Sequence, residues 1–405
     1  MTGDAADPSP GGALRCRGCG DPTPRRVVDR GRQPASDDFP ALGAPGPDAR
    51  WPLELWVCPR CALVQLGPVQ ALLEEPVRAV ESRTSREHAR RVATGLLAQH
   101  PELVGRSVHE FASHHGGSWL DALFELGCRP AAAGEAAGLV VDAHALAHEE
   151  DVAARLAERA ACLAPDGLLV LEFHHLLPLV AEGQFDTVRH GHWSYLSLTA
   201  VHRLAGRHGL QVVRAWPEAV FGGSLRVALA HVAVAPADPA DGAGSASAYV
   251  PDAAVARLLA EEAAAGLDDG SGLETFGVRA RAGATALREY LLDRRAAGRV
   301  VLGYGAPSKA AVLLGLADIG PDLLPFTVDA SPLKHGLAIP GNRVPIRPVS
   351  DLAAARPDEV LVLTWDIADE VVAQLEAAGG WGARYVLPLS VPQVTAGTHP
   401  SGART

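Results

Sequence analysis

Two C-x-x-C pairs, Cys16/Cys19 and Cys58/Cys61, constrain this chain more than any other feature in it. Each follows a short apolar or turn-forming approach, ALRCRGCGD and LELWVCPRCAL, and each presents two sulfurs from one tight turn. Two such turns supply four thiolates, which complete a closed, tetrahedral Zn²⁺ site of the structural kind. The competing reading, a pair of redox motifs, needs each C-x-x-C to open a helix after a strand, and neither does. The cofactor expected from the cysteines is therefore one structural zinc ion. Cys128 and Cys162 sit in apolar surroundings and read as core residues.

At about 150 residues per domain, a chain of 405 residues has room for two or three domains. Lys+Arg 36 against Asp+Glu 47 leaves a net charge of −11 with no basic stripe, so nucleic acid is not an expected partner. The longest apolar stretches are short and interrupted, and the opening MTGDAADPSPGGALR lacks the charged-then-apolar order of a signal peptide. A soluble, cytoplasmic protein without a membrane partner is the expectation. Only Lys309 and Lys334 are lysine among the basic residues, which makes those two positions informative.

Beyond the knuckles, residues 69–100 show helical periodicity, and a parallel α/β pattern then begins. Strand-like VGRSVHEFA (104–112), helical SWLDALFELG (118–127), strand GLVVDA (138–143), helix EDVAARLAERAACLA (150–164), a PDG turn and strand GLLVLEF (167–173) alternate as in a doubly wound sheet. A helix over 197–209 and a hairpin of LQVVRAW and SLRVALAHV close it. The stretch 235–250 has linker composition, 252–297 is helical, and RVVLGYGAPSKAAVLLGLA (299–317) opens a second sheet continued by PFTVDA, EVLVLTW and ARYVLPLS. The fold class is α/β: a zinc-knuckle domain (1–68), a central, truncated Rossmann-like sheet of methyltransferase type (69–235), a linker and helical connector (236–297) and a C-terminal Rossmann-like domain (298–405).

In the C-terminal unit, Gly303-Tyr304-Gly305 ends a strand and opens a helix, a turn that lets a phosphate approach the backbone. Asp329 ends the next strand, where a carboxylate accepts from a ribose hydroxyl, and Lys309 in the first helical turn offers a counter-charge. These residues predict nucleotide or nucleotide-sugar binding. In the central unit a cofactor belongs at the strand ends, where Glu110 and Gly116-Gly117 form a reduced echo of an S-adenosylmethionine loop. The short interval from Ser113 to Gly138 holds one helix and a turn, too little for a complete cofactor half-site. Eleven of the 16 histidines fall between His109 and His208, and His114, His115, His144, His148, His174 and His175 map to strand ends, with His190 and His192 in QFDTVRHGHWSY. Converging loops would make a histidine-lined pocket suited to acid–base chemistry. Surface histidines and a second metal site are the alternatives. Arg189 and Tyr195 are candidates for positioning a substrate, although packing explains Tyr195 equally well.

The knuckles together with GRQPASDDF (31–39), EGQFDTVRHGHWSYLSLTAVHRLAGRHGL (182–210), FGGSLRV (221–227), GYGAPSK (303–309), VDASPLKHG (328–336) and PGNRVPI (340–346) resemble the sugar-nucleotide C-methyltransferases of antibiotic deoxysugar pathways. The resemblance spans nearly the whole chain. It implies a zinc-binding N-terminal domain, a central S-adenosylmethionine domain, and a dTDP-4-keto-deoxyhexose held against a C-terminal Rossmann-like domain, with Lys334 in one of its motifs. It implies His192 as the base that forms the enolate and His148 as the second active-site histidine, with His190 in the same motif. The family's Tyr-His-Glu-His is here Arg189-His190-Gly191-His192, and its Glu-Ile-Gly-x-Asn-Asp-Gly run is here Glu110-Phe111-Ala112-Ser113-His114-His115-Gly116.

A chain that keeps the base and loses the methyl donor's site is expected to enolise its substrate without methylating it, giving epimerisation or keto–enol isomerisation. A working methyltransferase with a divergent cofactor pocket and a non-catalytic sugar-nucleotide-binding partner are the alternatives.

Overall fold

The computed structural model describes residues 14–69, 80–113, 116–232, 249–388 and 392–395. Within them the chain is α/β and builds three sheets. The first is antiparallel and contains β1 (Arg25–Pro34), β2 (Arg50–Val57) and β3 (Val64–Leu66). Its fourth strand comes from the middle of the chain: β8 (Ser194–Tyr195) pairs with β3 through Val64 and Gln65. The unit read as 1–68 therefore draws on a segment far downstream.

The central sheet runs β5-β4-β6-β7-β10-β9. Its parallel strands are β4 (Ser107–Phe111), β5 (Arg129–Pro130), β6 (Ala137–Ala143) and β7 (Leu163–His174). The hairpin β9 (Leu210–Glu218) and β10 (Ser224–His231) adds antiparallel to β7. β6 is buried at every position, because helices cover both faces of a parallel sheet. On one face lie α1 (Arg83–Gln99) and α2 (Leu120–Glu125), and on the other α3 (Val152–Ala161) and α5 (Leu198–Ala205). Ser82, Asp151 and Ser197 cap α1, α3 and α5 by accepting a backbone N–H within the first turn. The PDG turn expected at 165–167 is instead part of β7, where a register shift opposite Ala137 and Leu139 absorbs it.

The C-terminal sheet runs β13-β12-β11-β14-β15-β16. β11 (Val301–Tyr304), β12 (Thr327–Asp329), β13 (Ile346–Pro348), β14 (Glu359–Val362) and β15 (Arg384–Leu387) are parallel, and β16 (Gln393–Thr395) closes the edge antiparallel. α8 (Ser308–Leu316) covers one face, and α9 (Val349–Ala355) and α10 (Ala368–Ala377) cover the other.

The stretch read as a linker and connector is two helices with separate allegiances. α6 (Ala253–Ala264) packs Val255 and Leu258 into the central core, and α7 (Ser271–Ala296) packs Leu273, Phe276 and Leu287 into a core shared by the first and third sheets. The same shared core receives α4 (Leu176–Ala181). Residues 70–79, part of the expected helix 69–100, and 233–248, most of the expected linker, lie outside the described residues. Among the described residues no helix is long and apolar enough to cross a membrane.

Candidate active site

The four knuckle cysteines converge. Cys16 Sγ lies 3.5 Å from Cys61 Sγ, Cys19 Sγ lies 3.5 Å from Cys58 Sγ, and all four sulfurs fall within 4.8 Å of one another. Tetrahedral Zn–S bonds of about 2.3 Å place sulfurs roughly 3.8 Å apart, so the donor set fits Zn²⁺. The Gly18 N–H points at Cys16 Sγ at 3.4 Å, as amides do around thiolates. Cys16, Cys58 and Cys61 also belong to the apolar core of the central sheet. Among the described residues no other group of three or more metal-ligating side chains comes together in this way.

The carboxyl ends of the central and C-terminal sheets face a common cavity of about 820 Å³. His148 and His192 stand together in its wall, ring centroids 4.4 Å apart and planes at 79°. A single 3₁₀ turn after β6, Leu146–His148, carries His148, and the loop before β8 carries His192. Arg189 lines the same cavity and is paired with Asp37 at 3.3 Å.

Beside this pair lies a cluster that the sequence reading did not assemble. Glu172, near the end of β7, is 1% exposed and holds two imidazoles: His88 of α1 at 2.6 Å and His144, after β6, at 3.2 Å. Burial would raise the Glu172 carboxyl, but the bonds from His144 and His88 outweigh it and hold the group at about 2. Arg91 Nη2 donates to His88 Nδ1 at 2.8 Å, so the proton of His88 is on Nε2 and points at the carboxylate. His174 lies in the same wall, and burial, reinforced by the charges of His144 and Lys309, drives it down to about 3. Glu172 stands on the strand end next to His174, a position that could have marked it. His88 lies on a helix before the sheet and carries no such signal.

Other expected residues are turned elsewhere. His190 does not line the cavity: its Nδ1 and Nε2 face the backbone carbonyls of Pro34 and Pro52 at 3.2 and 3.0 Å, which fastens the loop to the first sheet. His190 is thus turned away from the cavity that His148 and His192 line. The Tyr195 hydroxyl accepts from Arg189 N at 3.0 Å and donates to Arg189 O at 3.2 Å, which shapes the loop without reaching the cavity. His175 is buried on Glu262 at 2.6 Å. His114 and His115 lie outside the described residues.

In the C-terminal unit, Tyr304, Gly305, Lys309, Asp329 and Lys334 all line the cavity, and Gly303 does not. Gly303 is where β11 passes Thr327 so closely that a Cβ would collide with it at 2.7 Å. Asp329 accepts Ala306 N at 2.7 Å and Ser331 N at 2.8 Å, Lys334 donates to Ala306 O at 2.8 Å, and Lys309 pairs with Asp366 over the Trp365 ring. The Gly305 loop is thus pinned in shape by its own carboxylate and lysine.

NovU, a C-methyltransferase of Streptomyces niveus, is 33% identical to this chain over 300 residues, which is 73% of this chain and 68% of NovU. The chain belongs to the C-methyltransferase family. Two family models agree: "C-methyltransferase C-terminal domain" matches residues 219–390, and "Putative zinc binding domain" matches residues 16–71. Among solved structures, the magnesium protoporphyrin IX methyltransferase ChlM of Synechocystis, with bound S-adenosylhomocysteine, is similar at 14% identity and TM-score 0.28, over 37% of this chain and 84% of ChlM. The 1,6-didemethyltoxoflavin-N1-methyltransferase of Burkholderia thailandensis is similar at 14% identity and TM-score 0.29, over 36% of this chain and 79% of that chain.

At the strand ends where the sequence places a cofactor, the polar groups are already committed to one another. Gly117 lines the cavity, but its N–H already donates to Glu81 Oε1 at 2.7 Å, and a Cβ on Gly116 would touch the same side chain at 3.1 Å. Glu110 faces away, accepting Trp119 N at 2.7 Å and bonding Ser118. Asp142 is buried on Arg159 and on the amides of Ala145 and Leu146. The edge strand β5 is only two residues long, and its Arg129 is tied to Glu135. The residues present do not fit S-adenosylmethionine, whose amino-acid end needs open amides and whose ribose needs a carboxylate at that strand end.

Proposed function

We propose that this member of the C-methyltransferase family enolises a dTDP-4-keto-deoxyhexose next to its ketone and releases it epimerised or isomerised, without methyl transfer. The observation that carries the reading is the Glu81 carboxylate on the Gly117 N–H, because it fills the backbone site that a cofactor's own carboxylate would take. The His148/His192 contact in the same cavity supports it by supplying a base and a neighbouring acid where the family resemblance puts them. His192 takes the proton from the carbon beside the ketone, the C–H electron pair becomes the enolate double bond, and the ketone oxygen takes the charge. Arg189, in the same wall, stabilises that oxygen. Return of a proton to carbon restores the ketone.

The nucleotide lies along the Gly305 loop, with Asp329 free to accept a ribose hydroxyl on top of the two amides it already holds. The zinc ion is structural, since four thiolates leave no open position. The zinc unit, the cavity-bearing central unit and the nucleotide-binding C-terminal unit act as three domains, and reduced thiols suit a cytoplasmic setting.

Calorimetric titration with S-adenosylmethionine, S-adenosylhomocysteine and dTDP, followed by incubation with a dTDP-4-keto-deoxyhexose in D₂O, tests the reading. It expects dTDP binding, no micromolar cofactor binding, and deuterium entering the sugar without any cofactor. Micromolar S-adenosylmethionine binding with a methylated product would instead favour the methyltransferase activity that the NovU likeness suggests. Binding without exchange would leave a non-catalytic partner.

A further inference from the structure

His148 and His192 belong to different units, so their contact depends on what holds a turn of the central sheet against a loop of the first. His148 ends the 3₁₀ turn after β6, and His192 lies in the loop that enters β8. The residue after His192 makes the join. The Trp193 N–H donates to Ala147 O at 3.0 Å, the carbonyl directly before His148. Trp193 O accepts Leu66 N at 2.9 Å, which fixes the same residue to the end of β3. The 4.4 Å edge-to-face contact of the two imidazoles is thus flanked by both bonds of one main-chain residue.

The indole of Trp193 does not line the cavity. It lies under Arg17, whose guanidinium carbon sits 4.9 Å from the ring centroid. Arg17 directly follows the first knuckle cysteine, Cys16, and is fastened at several points. Its N–H donates to Gln65 Oε1 at 2.8 Å, its carbonyl accepts Ala153 N at 3.2 Å, and its Nη1 donates to Leu66 O. Gln65 is itself buried and donates to Arg15 O at 3.1 Å. Leu66 closes the figure, because its carbonyl takes the guanidinium while its N–H holds Trp193. A planar cation can stack on a ring and donate in its own plane at once, as Arg17 does here. The four thiolates in turn converge on one point, which fixes the main chain on which Arg17 stands.

We propose that Trp193 is the positioning residue that brings His148 and His192 together, and that Arg17 clamps it there, so that the zinc knuckle sets the geometry of a site it does not touch. The effect on turnover rests on the enolising reading above, whereas the placement of the two rings does not. Proton transfer demands close placement: a displacement of about 1 Å costs on the order of 100-fold in rate. Loosening the indole frees the loop behind His192, and the two imidazoles part.

The experiment pairs two readouts on the zinc-loaded protein. NMR of ¹³C-labelled histidine, with the ring signals assigned through His148→Gln and His192→Gln, reports the contact itself. Deuterium entry from D₂O into a dTDP-4-keto-deoxyhexose reports turnover. In Trp193→Leu and in Arg17→Met the ring-current shifts that the two imidazoles impose on each other should relax. Zinc content and dTDP affinity should stay parental, while kcat for exchange falls about 10- to 100-fold with KM little changed. The double variant should be no slower than Trp193→Leu, since both changes act through one stack. Parental ring shifts in Trp193→Leu overturn the proposal, as does zinc loss in that variant, which would make the indole a support of the metal site. Losses that multiply in the double variant overturn it too. Absence of exchange in the parent protein sinks the enolising reading, and the ring shifts still decide what Trp193 does.

Discussion

The Glu370 carboxylate, on α10 of the C-terminal unit, accepts the Thr84 N–H at 2.8 Å and its hydroxyl at 2.7 Å, so one unit caps the first helix of the other at the mouth of the cavity. Arg83 N donates to the second carboxylate oxygen at 3.0 Å. The first turn of α1 is thereby satisfied across the unit boundary. Burial alone would raise the Glu370 carboxyl, but the Thr84 and Arg83 bonds bring it below its usual range. Its stabilisation is present above the unfolded carboxyl pKa near 4.5 and is lost as pH falls through the lower folded value. Glu370→Ala should cost about 1 kcal/mol and speed amide hydrogen exchange at Arg83 and Thr84. Unchanged protection at both amides would show that the cap contributes nothing.

Replacing one zinc ligand should reach well beyond the knuckles. Cys16, Cys58 and Cys61 are members of the central core, and structural zinc contributes on the order of 10 kcal/mol in isolated finger peptides. Cys58→Ser should drop zinc content from one per chain towards none and lower the thermal midpoint of the central unit as well. Full zinc stoichiometry in that variant would contradict a four-thiolate site.

Two histidines are held neutral by the fold, which sets a direction for stability against pH. Burial drives His174 to about 3 and lowers His190, whose carbonyl contacts only partly offset it. Stability from these groups is fully present above the unfolded pKa of about 6.5 and declines as pH falls below it, because the unfolded chain takes protons that the folded one refuses. The unfolding midpoint should therefore be lower at pH 5.5 than at 7.5. His190→Ala should weaken this dependence while costing about 1–3 kcal/mol at neutral pH, through the one carbonyl, of Pro34 or Pro52, that loses the N–H of the neutral imidazole. Solvent deuterium exchange by the folded fraction should persist. An identical pH slope in the variant would show that His190 is not among the groups responsible.

The zinc site and the strand–helix alternation were legible because their signals are local: two sulfurs from one turn, apolar runs ending at Gly-containing loops. His148 and His192 were legible from motif positions, and the cavity brings them together. His190 shares that motif but faces the first sheet instead of the cavity. Gly191 between the two stands at φ +92°, which sends the neighbouring imidazoles to different sides of the loop. The Glu172 cluster and the Glu370 cap were hidden for another reason: His88 and Glu172 are 84 residues apart, and Thr84 and Glu370 are 286 apart. No periodicity records a pairing made only when a helix docks on its sheet, as for His88 and Glu172, or one unit on another, as for Thr84 and Glu370.

The stitching of β8 into the first sheet determines how such proteins can be recombined. Ser194 and Tyr195 pair with Gln65 and Val64, so the edge of the metal-binding unit is built from the loop that carries His192. A chimera that exchanged residues 16–71 between relatives would set a foreign strand against this loop and shift the histidine behind it. The unit of inheritance is discontinuous, 16–71 together with 185–196, and engineered swaps that respect both segments are the ones that should retain a working cavity.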